Sequence, residues 1–153
     1  VSDTFLSVIP ADPYWQPDRA VGDRTAALME ELSPKAGSEP EVHRYDAPAF
    51  VNAGPNLETI SCPRCGQRID LREWWMPRMD EAYDGTGFSN LDVRVPCCDA
   101  DTSLNDLVYD GPCGFARFEI KILNPNRSEL TDEELTRIGQ TLGHPVRQIW
   151  SRV

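Results

Sequence analysis

Cys62-Pro63-Arg64-Cys65-Gly66 and, further on, Val95-Pro96-Cys97-Cys98-Asp99 bracket a tryptophan-rich segment, and these two runs decide how the middle of the chain is read. A C-x-x-C turn aims two sulfurs and the amides of one tight loop at a common point, and a structural zinc site takes four such ligands. Pro63 stiffens the first turn, and Gly66 lets the backbone fold back past the second sulfur without a Cβ in the way. The second run has an adjacent pair, and neighbouring residues both ligate only through an unusual turn. The expected ligand set is Cys62, Cys65, Cys97 and Cys98, with Cys113 in Gly111-Pro112-Cys113-Gly114, or His43, as a rival for the fourth place. For Cys97 and Cys113 the competing reading is a small buried apolar side chain.

The Cys62 turn resembles the knuckles of zinc-ribbon and rubredoxin-like proteins, in which two C-P-x-C-G turns on facing hairpins share one metal. The resemblance covers only the cysteine turns and the strands around them. It implies a structural Zn2+ site and no particular activity. Cys-Pro-Arg-Cys also looks like the active turn of a thioredoxin-like oxidoreductase, where a helix N-terminus lowers the first thiol's pKa. Gly66 and the extended-looking Gln67 to Asp70 place no such helix behind Cys62.

Outward from these turns, Leu71, Trp74, Trp75, Met79, Ala82 and Tyr83 recur at helical spacing, with Pro77 interrupting the helix or starting its regular part. Leu91, Val93 and Val95 alternate as a half-buried strand. The stretch from Asp99 to Gly114 reads as an acidic, turn-rich loop. On the N-terminal side, Thr4 to Ile9 predicts a buried central strand, and Pro17 is placed as the first residue of a helix whose stripe is Val21, Thr25, Leu28, Met29 and Leu32. Glu41 to Val51 reads as extended with Pro48 at a bend or edge, and Gly54-Pro55 as a turn.

On the C-terminal side, Ala116, Phe118, Ile120 and Ile122 alternate with Arg117, Glu119 and Lys121 as the clearest strand. Thr131 and Glu134 form a capping box, Gly143 closes that helix, and Val146 to Trp150 is a last strand. Together these segments predict an α+β fold: a split βαβ (ferredoxin-like) sheet with two or three helices, in one domain over 1–153, with a zinc-ribbon-like module inserted at about 57–113.

A chain of 153 residues buries a core without outside staples, so a metal here is local reinforcement. The excess of 25 acidic over 15 basic side chains gives a net charge of −10, which repels a phosphate backbone and disfavours nucleic acid. Five cysteines in uneven groups do not form a disulfide framework. No apolar run is long enough to span a bilayer, and Val1 to Phe5 has no basic region before its short apolar run, so the expected location is the cytoplasm.

Ser61 and Ser103 sit in no nucleophile turn, and His144 behind Gly143 reads as a helix-end residue. Asp99-x-Asp101-x-Ser103 lacks the glycine of a calcium loop. Of the two adjacent tryptophans one is expected to be exposed, with Tyr14 and Trp15 joining it in a contact surface. The resulting expectation is a non-enzymatic, zinc-stabilised module that binds a protein, a basic one, in an adaptor or bacterial immunity-like role. The rival classes are a thiol-redox protein using Cys62 and Cys65, and a nucleic-acid-binding zinc ribbon.

Overall fold

The computed structural model describes residues 3–52 and 57–152, and the Gly54-Pro55 turn lies outside them. In chain order come β1 (Thr4–Pro10), α1 (Arg19–Leu32), β2 (Glu41–Asn52), β3 (Ile60–Ser61) and β4 (Arg68–Ile69). A π-helical turn (Leu71–Trp75) leads into α2 (Met76–Ala82), β5 (Asp92–Arg94), β6 (Asp101–Ser103) and β7 (Val108–Tyr109). The chain closes with β8 (Cys113–Leu123), α3 (Asp132–Leu142) and β9 (Val146–Arg152). It is a mixed α/β protein with three helices among the described residues and several antiparallel sheets.

The main sheet has the order β2-β8-β1-β9, every neighbouring pair antiparallel. β1 is interior because its apolar run leaves few polar side chains to face water. The connection β1-α1-β2 skips one strand position, which β8 fills, and β8-α3-β9 skips one that β1 fills. Pro48, which donates no ladder hydrogen bond, falls on the edge strand β2 inside a register shift between Arg44 and Ala49.

α1 and α3 pack against each other, and Met29, Ile138 and Leu142 join Leu6, Val8, Phe118, Ile120 and Ile122 in the main core. Gly22 lets α1 approach closely, since a Cβ there would stand 3.1 Å from the Phe118 ring. α1 begins two residues later than the proline suggests: Asp18 is its N-cap, accepting the Val21 N–H at 2.9 Å, and Pro17 lies just outside. Glu119, placed by alternation on a polar face, is buried and accepts a hydrogen bond from Ser7 Oγ at 2.6 Å.

The α3 capping box is present in both directions, and Gly143 closes the helix at φ 83°. Thr131→Ala is expected to cost about 1 kcal/mol by denaturant unfolding, because it leaves an N-terminal N–H without its acceptor. Arg127 forks onto Glu134 with bonds of 2.8 and 2.5 Å, and this holds the Glu134 carboxyl down at about 2. A depressed carboxyl stabilises the fold fully above its unfolded value of about 4.3, and that contribution is lost as pH falls toward the folded value. Glu134→Gln is therefore expected to flatten the acid limb of the stability profile between about pH 4.5 and 2, with a loss of about 1 kcal/mol or less at neutral pH.

A second apolar cluster lies over the middle of the chain: Ile60, Ile69, Trp75, Leu91, Leu104 and Phe115 are buried together. The stretch from Asp99 to Gly114, expected as loop, contains β6 and β7. β6 pairs with β5, and β7 pairs with β3, so Ile60 lies between Ile69 and Tyr109. β6 and β7 are three and two residues long, too short for alternation to show, and the partner of β7 is distant in sequence. Among the described residues no helix is long and apolar enough to cross a membrane.

Candidate metal centre

Each cysteine run sits at the tip of a hairpin, the first between β3 and β4 and the second between β5 and β6. The two tips are built alike. In the first, the Cys62 N–H bonds to Gln67 O at 2.8 Å and the Gly66 N–H to Cys62 O at 3.0 Å. In the second, the Val95 N–H bonds to Ala100 O at 3.0 Å and the Asp99 N–H to Val95 O at 3.1 Å. The residue closing each turn has positive φ, 77° at Gly66 and 57° at Asp99. Aspartate is among the few residues that tolerate this region, so it stands in for glycine.

Superposed on these bonds, Pro96 takes the place of Pro63 and Cys98 that of Cys65. Val95, fully buried, takes the place of Cys62, and Cys97 takes the place of Arg64. The second turn is thus the same knuckle with its first sulfur moved from the opening position to the third. Aligning the runs on their prolines would have shown this from the sequence. The unusual turn expected for an adjacent pair is an ordinary knuckle with one displaced cysteine, Cys97.

The sulfurs of Cys62, Cys65, Cys97 and Cys98 all lie within 4.8 Å of one another, within reach of one metal ion. Cys62 and Cys98 are 3.9 Å apart and Cys65 and Cys97 3.3 Å, so the close pairs cross between the hairpins. A tetrahedron with metal–sulfur bonds of about 2.3 Å has edges of about 3.8 Å. All four thiols are free. Cys62 is buried, Cys97 half-buried, and Cys65 and Cys98 exposed.

The N–H groups of Cys65, at 3.5 Å, and Arg64, at 3.3 Å, point at the Cys62 sulfur. The Cys65 N–H acts most strongly, and the Cys62 thiol falls to about 6. Loss of water and then the neighbouring sulfurs push Cys97 up to about 12. At Cys98 the Ala100 N–H pulls the thiol down, but burial and the sulfurs of Cys62 and Cys65 outweigh it and the thiol is raised. Thiolates this close repel one another, and a cation among them removes that cost.

The two rivals for the fourth place lie elsewhere. Cys113 is buried in β8 beside Asn52, with its thiol pushed up to about 12 by burial, and its carbonyl accepts from Arg147 at 2.7 Å. His43 is opposite Glu119 in the main sheet and stacks on Tyr45. His144 stacks on Trp15 at 4.5 Å, beyond the end of α3. The chain after Cys65 runs into β4, so no helix N-terminus faces Cys62. Trp75 is buried and Trp74 half-buried under the Arg78 guanidinium. Trp15 packs on the main core and Trp74 on the second cluster, and the Tyr14 hydroxyl accepts from the Leu91 N–H.

Fold and site together define a mixed α/β protein with a four-cysteine cluster at metal-binding distance. No protein-family model matches the chain, and searches of curated proteins and of solved structures also gave no match.

Proposed function

We propose that Cys62, Cys65, Cys97 and Cys98 hold one structural zinc ion, and that the zinc-clasped segment, about 57–113, is a module inserted into a split βαβ (ferredoxin-like) sheet to present a surface to a protein partner. The crossed sulfur pairs at 3.3 and 3.9 Å carry the metal reading, because four sulfurs converge from two hairpins on a site of tetrahedral size. Zinc suits four thiolates with no open position, which leaves it no catalytic role. The strand order β2-β8-β1-β9, with each helix crossing over one intervening strand, supports the split βαβ reading.

A net charge of −10 favours a basic protein over nucleic acid, and exposed Tyr14, Met76, Tyr83 and Val108 supply contact area. The adaptor or immunity-like role in the cytoplasm rests on those features. Elemental analysis of protein purified without added metal tests the site, with zinc at one equivalent expected; iron instead would turn the reading toward electron transfer. Affinity purification from native extract tests the binding role. Repeated failure to return a protein partner, or recovery of nucleic acid with steeply salt-dependent affinity, would overturn it.

A further inference from the structure

We propose that the cleft between α2 and the β5–β6 hairpin, against the second cysteine turn, takes an arginine- or lysine-bearing segment of a basic partner; this rests on the protein-binding role above and gives it a place. The cleft has a volume of about 730 Å³. One wall is the π-helical turn and α2, and the other is β5 running into Val95 and Pro96 at the knuckle.

Its surface is two-natured. Trp74, Ala82 and Val93 give an apolar strip, with Trp74 half-buried and so offering part of its ring. Asp92 and Asp99 line the same cleft, and among the described residues neither carboxylate has a cation within ion-pair distance. The two arginines that line it are already engaged, Arg78 with Glu81 at 2.9 Å and Arg94 with Asp101 at 3.2 Å. Of the other carboxylates there, Glu81 is the one paired with Arg78, and Asp84 accepts from the N–H groups of Thr86 and Gly87 and the hydroxyls of Thr86 and Ser89, which hold its carboxyl well below the usual range.

An apolar strip bordered by uncompensated carboxylates matches long cationic side chains, whose methylene stems lie on apolar surface while their heads reach the charge. Trp74 already holds one guanidinium, that of Arg78, at 5.9 Å from its ring centre. A bare metal ion would use the carboxylates and leave the strip idle. An acidic or neutral peptide would leave the carboxylates unpaired. One wall ends in the knuckle, at Val95, Pro96 and Asp99.

The probe is a labelled hexapeptide alternating arginine and leucine, titrated into the zinc-loaded protein by fluorescence anisotropy and by amide and indole NMR shifts. Binding is expected to move the Trp74 indole and the Val93 amide, and to weaken at least about tenfold in Asp92→Lys and in Trp74→Ala. A peptide with glutamate for arginine should not bind, and spermine, which carries charge without apolar side chains, should bind more weakly. Equal affinity for wild type and Asp92→Lys, shifts confined to another face, or spermine binding as tightly would overturn the cleft assignment. If Asp92→Lys loses its zinc, Trp74→Ala decides. A partner identified by native purification and held equally by both variants would sink the cleft while leaving the protein-binding role standing. A wild type that retains neither peptide nor partner would sink both.

Discussion

Cys62→Ser is expected to lower zinc affinity by more than about a hundredfold, beyond the usual cost of disturbing an outer partner of a metal ligand, and to loosen the whole stretch between Leu57 and Cys98. Cys113→Ser should leave zinc content and melting close to wild type. Cys62 is 2% exposed, receives two backbone N–H groups, and faces Cys98 on the other hairpin, so its loss opens the site from the buried side. The strands that the site ties together are two or three residues long and have few ladder bonds of their own. For such segments metal-binding free energy is folding free energy. Cys113 is similarly buried but sits in an eleven-residue strand whose pairing with β2 runs from Cys113 to Lys121 around one register shift, and its sulfur is not among the four that cluster. Hydrogen exchange over 57–109, read beside zinc content, checks the contrast. Equal zinc and equal exchange in the two variants would contradict it.

Phe115→Ala is expected to cost about 3–5 kcal/mol in global unfolding, the largest effect of any single truncation proposed for this chain. The ring has no exposed surface, and its centre lies 5.1 Å from those of Phe50 and Phe88. Phe50 also meets Trp75 edge-on. Phe115 stands in β8, the strand that supplies Phe118, Ile120 and Ile122 to the main core, while its own ring belongs to the cluster over the cysteine hairpins. Removing it leaves a cavity where the two clusters adjoin, so both should lose stability together. Cys62→Ser, in contrast, should act on one of them first. Denaturant unfolding followed by Trp fluorescence and by far-ultraviolet circular dichroism distinguishes the cases. A loss under about 1 kcal/mol would mean that the site repacks around the missing ring.

How legible this was in the residues differs from one element to the next for physical reasons. β8 and α3 were plain because strict alternation and a complete capping box act locally, without help from distant partners. β1 was readable as an interior strand from its short apolar run, which is also a local signal. β6 and β7 were not, since each carries too few residues to display a period, and β7 is also held by pairing with β3, far away in sequence. Glu119 was misplaced because its burial depends on Ser7, more than a hundred residues away. The start of α1 slipped from Pro17 to Arg19, behind the Asp18 cap, because a side-chain cap outranks a residue that merely tolerates the first turn.

At the cysteines, spacing identified the first knuckle, but the second was obscured by the displaced sulfur. What the two share is a proline at the second position, a residue suited to positive φ at the fifth, and the same pair of backbone hydrogen bonds. The valine in the opening position of the second knuckle turns inward and contributes to the apolar cluster instead of to the metal. That exchange gives the centre one deep sulfur and three nearer the surface.

Zinc K-edge X-ray absorption on protein purified without added metal tests the central claim most directly, because it reads the ion and its ligands in one measurement. Four sulfurs at about 2.3 Å, with no nitrogen or oxygen in the first coordination sphere, is the predicted spectrum. A site with fewer than four sulfurs, or protein that carries no metal and whose cysteines are paired as disulfides, would contradict it.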